Sequence, residues 1–211
     1  MKIGIIGSGN VGGTLGTRWA KGGHTVVFSS RNPGSDAITK LVAAAGPNAS
    51  AATVADAVSQ CDIVLLATPW PATKAAVAGA GNLAGKILID ATNPLLPDLS
   101  GIEVGTTSSG GELVAALAPG ARVVKAFNTI GANIMANPDF HGRSAVLFYC
   151  GDDAGAKAVV KGLVTELGFD AADAGPLKQA RLLEPLALLW ISLAYGQGYG
   201  REFAFQTMKR T

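Results

Sequence analysis

The sequence predicts an α/β fold in which helices cover both faces of a doubly wound, mainly parallel sheet. Short apolar runs rich in β-branched residues recur along the chain, and a polar turn and a helical pattern follow each of them. A glycine-rich turn comes directly after the first run. With 48% hydrophobic and 15% charged residues, the 211-residue chain has enough apolar side chains for one large core. This alternation indicates parallel strands joined by crossover helices.

The predicted elements follow one another without an internal repeat. Strands are predicted over residues 3–6, 25–28, 63–67, 87–89, 122–126 and 145–149. Helices are predicted over residues 11–21, 36–45, 54–60, 73–80, 112–117 and 154–167. Residues 170–177 are interpreted as a Gly/Pro-containing turn before a last helix that begins at Lys178. Because about 35 residues cannot build a core of their own, we expect that helix to fold back over the carboxyl edge of the sheet.

Composition and charge argue against several classes of protein. The net charge of +2 comes without a dense basic run, so neither a nucleic acid nor an anionic membrane is an expected partner. The apolar run at residues 3–6 is too short for the core of a signal peptide, and a glycine motif follows it immediately. The apolar stretch 182–195 is interrupted by Glu184 and Pro185 and is too short to span a bilayer. We interpret Cys61 and Cys150 as free, buried thiols of a cytoplasmic protein.

The glycine turn has the spacing of a dinucleotide-binding loop. It reads Gly7-Ser8-Gly9-Asn10-Val11-Gly12, a G-x-G-x-x-G sequence placed after a strand and at the start of a helix. In this pattern Gly7 permits the tight turn, Gly9 lets the backbone approach a diphosphate, and Gly12 allows close packing of helix on strand. The amides at the helix start favour the anion. The loop therefore predicts a Rossmann-type domain that binds a dinucleotide, and all six residues are expected to contact it.

The end of the second predicted strand favours NADP over NAD. An NAD site normally has an acidic residue there, which accepts a hydrogen bond from the ribose 2′-hydroxyl. Here the strand ends in Ser30 and Arg31, with no carboxylate. A hydroxyl can donate to a 2′-phosphate, and a guanidinium can pair with it and stack beside the adenine. We therefore expect an NADP-binding domain over residues 1–175, with residues 176–211 as a dependent helical extension that closes the cofactor cleft.

The carboxyl ends of the later strands supply amide, hydroxyl and aromatic groups. Thr68, Pro69, Trp70, Asn93 and Asn128 are the expected lining residues, and Pro69, Trp70 and Asn128 the candidates for positioning the reacting rings. No metal site is predicted. A dehydrogenase acting on an alcohol needs a general acid or base, whereas hydride transfer to a flavin-like ring needs mainly alignment of two flat rings. The residues therefore favour ring-to-ring transfer, with no catalytic residue assigned.

The remaining polar candidates are interpreted as structural. His24 is expected at a turn between helix and strand, and His141 in a polar loop, both at the surface. Asp152 and Asp153 precede a predicted helix and are interpreted as its N-cap.

Several longer segments resemble one known family, that of the coenzyme F420-dependent NADP oxidoreductases. The resemblance is carried by residues 6–12, 23–24, 30–31, 61–63, 69–70 and 150–153, and most specifically by 173–177 and 180–184. It implies hydride transfer between NADP(H) and a 5-deazaflavin. It also implies that Ser8, Ser30 and Arg31 meet the NADP phosphates, that Pro69, Trp70 and Asn128 line the ring-stacking site, and that the final helix near residues 196–198 closes over the second cofactor.

One motif departs from this family and leaves the acceptor open. Asn128 stands where deazaflavin reductases tend to carry His, and Lys125-Ala126-Phe127-Asn128 is similar to the nucleotide domain of membrane ferric and cupric reductases. F420, FMN and FAD all remain candidate acceptors. Two alternatives stay open: an NADPH-dependent reductase of a small carbonyl or imine, and a non-catalytic NADPH-sensing module. The last helix is more apolar than one buried face requires, which predicts a homodimer.

Overall fold

The structure is a computed structural model that describes residues 1–208 and 210. In these residues the strands are β1 (Lys2–Ile6), β2 (Thr25–Ser29), β3 (Ala49–Ala52), β4 (Ile63–Leu66), β5 (Ile87–Asp90), β6 (Arg122–Lys125), β7 (Asp139–Phe140), β8 (Arg143–Ser144), β9 (Val146–Gly151) and β10 (Asp170–Asp173). The helices are α1 (Asn10–Lys21), α2 (Asp36–Ala45), α3 (Val54–Ser59), α4 (Trp70–Ala78), α5 (Gly110–Leu117), α6 (Ala132–Ala136), α7 (Ala154–Glu166) and α8 (Ala180–Ile191).

Eight of these strands form one sheet in the order β10-β9-β6-β5-β4-β1-β2-β3. All neighbouring pairs are parallel except β6 and β9, which run antiparallel. The chain order reverses between β1 and β4, so a crevice opens there at the carboxyl ends of the strands, where ligands bind in open α/β sheets. The mainly parallel, doubly wound fold predicted from the sequence is confirmed. Strands β7 and β8 form a separate hairpin.

Burial on both faces of the sheet explains the continuous apolar runs. All four residues of β4 and of β5 are buried, although each strand points side chains alternately to opposite faces. One face packs against Leu15 and Trp19 of α1, and the other against Val77 of α4 and Val114 of α5. The core therefore has two layers, one on each side of the sheet.

The predicted helices are present; α2, α3 and α7 begin at the predicted residue, whereas α1, α4 and α5 begin earlier. Helix α4 begins at Trp70, three residues earlier than predicted, because Pro71 suits the first turn of a helix. Helix α5 begins at Gly110, and the Ser109 hydroxyl caps it by accepting from the backbone N–H of Glu112 at 3.1 Å. The turn predicted over residues 170–177 was partly wrong, since Asp170–Asp173 forms the edge strand β10.

The C-terminal segment lies against the sheet domain. A short 3₁₀ turn (Leu177–Gln179) leads into α8, and one π-helical turn (Ser192–Gly196) follows it. Helix α8 packs on α5. The chain then runs beside β9, where the backbone N–H of Val146 donates to the carbonyl of Phe205 at 2.9 Å. None of the helices in the described residues is long and apolar enough to cross a membrane.

Candidate functional site

The turn after β1 has the backbone geometry that its glycines predict. Gly7 has a φ of +95°, and a Cβ there would lie 2.5 Å from the carbonyl oxygen of Ala67. A Cβ on Gly12 would overlap the carbonyl oxygen of Gly7, so both positions require glycine for close packing. A Cβ on Gly9 would meet no atom within 4 Å. Gly9 therefore faces open space, as expected of a position where a ligand approaches the backbone.

The first turn of α1 faces the same space. No side chain caps this helix at Gly9, and its first turn contains no acidic residue. Asn10 is exposed and Val11 half-buried, so the amides of the helix start lie beside the crevice rather than in the core. Uncapped N–H groups and the positive end of the helix dipole favour an anion at this position.

A cleft of about 570 Å³ lies on the β2 side of the glycine turn, and we call it the nucleotide-side cleft. Of the residues predicted to bind the cofactor, it is lined by Gly7, Ser8, Ser30, Arg31 and Thr68. The Ser8 hydroxyl donates to the carbonyl of Ser29 at 3.0 Å, and the Ser30 hydroxyl accepts from the N–H of Asn32 at 3.1 Å. Arg31 is exposed and, within the described residues, forms no ion pair.

A second cleft of about 460 Å³ lies on the β5 side, and we call it the acceptor-side cleft. Of the predicted residues, it is lined by Gly9, Asn10, Val11, Thr68, Pro69, Trp70 and Asn93. Leu95, Leu96, Pro97 and Leu99 add an apolar wall from the loop after β5. Thr68 borders both clefts, so the two are adjacent. Among the described residues that line the two clefts, Arg31 alone carries a charge.

The structure places Asn128 behind Asn93 rather than at the surface of either cleft. Its residue is 5% exposed, and its amide Nδ2 donates to Asn93 Oδ1 and to the carbonyl of Leu183, both at 3.1 Å. Asn93 Nδ2 in turn donates to the Asn128 carbonyl at 2.9 Å. Because both partners of Nδ2 are acceptors, the orientation of the amide is defined. Among the described residues, Asn128 Oδ1 is buried without a hydrogen-bond partner.

The other polar candidates lie outside the two clefts. His24 Nε2 is 2.7 Å from Glu166 Oε2 at the end of α7, and His141 lies in the exposed turn between β7 and β8. Asp153 accepts from the N–H of Ala156 at 2.6 Å, which confirms it as the N-cap of α7. Residues 196–198 line neither cleft. Cys61 and Cys150 are both buried and unpaired, as predicted.

Sequence reasoning missed a buried group of charges beneath the acceptor-side cleft. Lys125 Nζ lies 3.0 Å from Asp90 Oδ2 and 2.8 Å from Glu184 Oε1. Each of the three side chains is at most 1% exposed. Burial acts to lower the pKa of Lys125, but the two carboxylates outweigh it and hold that pKa above its ordinary value. The sequence signal that could have revealed this group is a charged residue at the end of each of two apolar strands, Asp90 in β5 and Lys125 in β6. Burial also raises the pKa of the neighbouring Cys150 thiol to about 12.

The crevice lies where the strand order reverses, and a glycine turn borders it. Arg31 stands where an NAD site has an acidic residue. These features define a Rossmann-type NADP-binding protein. Residues 2–94 match the family model described as NADP oxidoreductase, coenzyme F420-dependent. A protein from Arthrobacter sp. FB24, whose crystal structure is described as an F420-dependent NADP-reductase, superimposes with a TM-score of 0.89 and 34% identity over 99% of this chain and 100% of that one. The chain belongs to this family of NADP-dependent oxidoreductases.

Other relatives bear names that describe different activities. Metalloreductase STEAP3 of Rattus norvegicus is 36% identical over 89% of this chain, but the chain spans 37% of that protein's length. The F420-dependent NADP reductase of Methanocaldococcus jannaschii is 26% identical, with 92% of each chain covered. A reductive aminase from Aspergillus terreus in complex with NADPH superimposes with a TM-score of 0.68 and 26% identity, over 93% of this chain and 62% of that one.

Proposed function

We propose that the protein transfers hydride between NADP(H) and the ring system of a flavin or deazaflavin, such as F420, FMN or FAD. The uncharged lining of the acceptor-side cleft carries this proposal. Reduction of a carbonyl to an alcohol requires a group that delivers a proton to the oxygen. Among the residues lining this cleft none titrates near neutral pH, whereas Pro69, Trp70 and Leu96 offer flat or apolar surface suited to a ring.

The nucleotide-side cleft fits NADP(H). The open space at Gly9 and the uncapped start of α1 suit a diphosphate, and Ser30 and Arg31 would hold the 2′-phosphate. Ala72 and Ala76 of α4, together with Ile38, give this cleft an apolar wall on which an adenine would lie. When bound, NADPH supplies the hydride. The chain's own residues then hold the nucleotide at one end and leave the acceptor-side cleft to orient the second ring.

Alignment and exclusion of water are the contributions we assign to the acceptor-side cleft. Trp70 stands at the start of α4, packed within 3.2 Å of the position a Cβ of Gly110 would take, so its indole has a rigid backing. Leu96 and Leu99, from the loop after β5, line the same cleft. Two flat rings held between these walls have little freedom to tilt, which is the main requirement of direct hydride transfer. Any proton that the reduced ring takes up comes from solvent.

The test is a comparison of acceptors with purified protein and NADPH, following the absorbance of the reduced nicotinamide. We expect turnover with at least one of F420, FMN and FAD, and a large preference for NADPH over NADH. Ferric chelates, offered without a flavin and then with one, distinguish direct metal reduction from reduction through a flavin. Tight NADPH binding with no turnover on any of these acceptors would contradict the proposal and favour a sensing module.

Reduction of an imine is the second candidate, because a reductive aminase shares 26% identity and the fold over 93% of this chain. An imine that is already protonated in solution needs no proton donor from the protein, so an uncharged cleft does not disfavour it as it does a carbonyl. Cyclic imines, assayed beside the flavins, separate the two candidates.

Two further proposals concern the setting of the protein. The free, buried thiols of Cys61 and Cys150 suit a reducing compartment, which supports a cytoplasmic location. The apolar outer face of α8 supports a homodimer, with Leu182 and Leu189 at 66% and 50% exposure.

A further inference from the structure

The buried charge network of Asp90, Lys125 and Glu184 joins three separate elements of the fold. Asp90 ends β5, Lys125 ends β6, and Glu184 lies one turn into α8. A lysine ammonium group has three N–H donors, and here each has an acceptor: Asp90 Oδ2 at 3.0 Å, Glu184 Oε1 at 2.8 Å and the carbonyl oxygen of Thr92 at 2.6 Å. The orientation of the ammonium group is therefore fully determined by its partners.

Stability alone is a weak explanation for such a network. Removing charges from water costs free energy, and well-packed apolar residues in place of a buried ionic group are often as stable or more so. Buried networks in which every donor has a partner do, however, hold their neighbours in one arrangement. The groups that this network holds at its two ends thus indicate its role.

At its inner end the network holds the turn that follows β5. Asp90 Oδ1 accepts from both the N–H and the hydroxyl of Thr92, at 2.9 and 2.7 Å, while Lys125 binds the carbonyl of the same residue. Thr92 is thus bound at three of its polar groups. The next residue, Asn93, lines the acceptor-side cleft and is held from behind by Asn128.

At its outer end the network holds the junction of two helices. Glu184 Oε2 accepts from the N–H of Gly110 at 2.8 Å, and Oε1 accepts from the N–H of Gly111 at 2.9 Å, so the carboxylate of α8 occupies the start of α5. A Cβ on Gly110 would lie 3.2 Å from the ring of Trp70, which also lines the acceptor-side cleft, and 3.2 Å from Pro94, the residue after Asn93. The positions of Asn93 and of Trp70 therefore both depend on where the carboxylate of Glu184 lies.

We propose that Glu184, acting through Lys125 and the start of α5, is a positioning residue for hydride transfer: it sets the distance between Asn93 and Trp70, two residues that line the acceptor-side cleft. This inference rests on the proposed function of that cleft. Neither Glu184 nor Lys125 touches the acceptor. Their effect is exerted on the orientation of the second ring, while the nucleotide phosphates are held elsewhere, at the glycine turn and Arg31.

The variant Glu184→Gln tests this with little change of volume. Its amide nitrogen would take the place of either Oε2, against the N–H of Gly110, or Oε1, against the N–H of Gly111 and the ammonium group of Lys125, so that donor faces donor in both cases. We expect kcat with the preferred acceptor to fall by about tenfold or more, as for other small misplacements of reacting groups, while the Kd for NADPH changes by less than about twofold. In ¹⁵N NMR spectra the side-chain amide of Asn93 should shift, with and without NADP⁺.

Arg181→Met is the matched control. Arg181 also joins α8 to α5, through hydrogen bonds of 2.8 and 2.7 Å to Glu112, but it touches neither the turn after β5 nor Trp70. We expect it to lower stability without changing kcat or the Asn93 resonance. If Arg181→Met lowered kcat as much as Glu184→Gln did, simple docking of α8 would explain the effect and the positioning role would be wrong.

Two further results keep the test decisive. Should Glu184→Gln not fold, the variant Asp90→Asn/Lys125→Met/Glu184→Gln, which removes all three charges of the network, replaces it. If that variant kept the wild-type kcat and an unshifted Asn93 resonance, the proposal would be overturned. The NMR readout needs no turnover. If the wild-type protein reduces no acceptor, the proposed function fails, and the Asn93 resonance of Glu184→Gln still decides whether the network positions the cleft.

Discussion

The hydroxyl of Ser8 donates a 3.0 Å hydrogen bond to the carbonyl of Ser29, which connects the glycine turn after β1 to the end of β2. The two segments are 21 residues apart in the sequence and meet because β1 and β2 are parallel neighbours. The bond joins Gly9, where we propose that the diphosphate binds, and Ser30 and Arg31, where we propose that the 2′-phosphate binds, in one rigid unit. Cofactor choice and cofactor binding can therefore be tested by separate substitutions within it.

Arg31→Ala should weaken NADPH binding by about 1.5–3 kcal/mol, or roughly ten- to 150-fold in Kd, because a charge-assisted bond to the 2′-phosphate is lost. NADH lacks that phosphate, so its Kd should be nearly unchanged. Isothermal titration with both nucleotides measures the difference. Lys40→Ala, which removes an exposed cation of α2 outside both clefts, is the control for net charge. Equal losses for NADPH and NADH in Arg31→Ala would show that the phosphate assignment is wrong.

Gly9→Val should abolish binding of both nucleotides while the fold persists. The backbone of Gly9 has a φ of −83°, which any residue can adopt, and no atom lies within 4 Å of a Cβ built there. The branched side chain would instead occupy the space assigned to the diphosphate. Circular dichroism and thermal unfolding check the fold, and fluorescence titration checks binding. Gly162→Ala, at another open glycine, serves as control. Normal NADPH binding by Gly9→Val would mean that the glycine turn has been misinterpreted.

The sequence predicted the sheet well where strands are buried on both faces and poorly at its edges. Runs such as Ile63–Leu66 can be recognised because every residue must be apolar. Asp170–Asp173 has one neighbouring strand and two acidic ends, so its pattern is that of a turn. Ala49–Ala52 has no large side chain and gives no signal of either kind. Edge strands take their conformation from their partner, which a local pattern does not contain.

The same distinction holds for the candidate site. The rule that ligands bind at the carboxyl ends of strands in an open α/β sheet was sufficient to predict that Thr68 and Asn93 line a cleft. It was not sufficient for Asn128, because Phe127 adopts a φ of +65°, rare for a bulky residue, and its ring packs on Trp19 in the core. The pairing of Lys125 with Glu184 depends on α8 folding back over β6. The division at residue 175 stays a prediction.

The outer face of α8 predicts a homodimer. Leu182, Leu186, Leu189 and Leu193 recur at spacings of four, three and four residues, and Leu182 and Leu189 are strongly exposed. We expect Leu182→Arg/Leu189→Arg to be monomeric in sedimentation velocity, and Leu117→Arg, at an exposed leucine of α5, to keep the wild-type state. A wild-type protein that remains monomeric at micromolar concentration would contradict this prediction.

Cys150 should make the protein less stable at alkaline pH. Burial raises the pKa of its thiol to about 12, whereas an unfolded cysteine ionises near pH 8.5. The stabilising contribution is therefore complete below about pH 8.5 and is lost as pH rises toward 12, by at most about 1.4 kcal/mol per pH unit. Cys150→Ala should flatten the dependence of the urea midpoint on pH between about 9 and 11. An unchanged slope would show that Cys150 is not the group responsible.

Asn128→Ala should lower turnover and leave NADPH affinity almost unchanged. Removing the amide frees the side chain of Asn93 and leaves the carbonyl of Leu183 without its 3.1 Å bond, so one wall of the acceptor-side cleft loses its support. The phosphate contacts that we propose, at the glycine turn and Arg31, do not involve this wall. Steady-state kinetics with the preferred acceptor and a separate NADPH titration give the two quantities.

The pH profile of the wild-type rate tests the same role for Asn128. A carboxamide does not titrate near neutral pH, and no histidine lines either cleft within the described residues, so the rate should show no strong inflection between about pH 6 and 7.5. Asn128 holds Asn93 from behind, so it would support one wall of the acceptor-side cleft rather than move a proton. A steep inflection in that range that survives Asn128→Ala would point to His24 or His141. It would favour proton-coupled reduction of a carbonyl over alignment of two rings, and His24→Gln and His141→Gln would then identify the group.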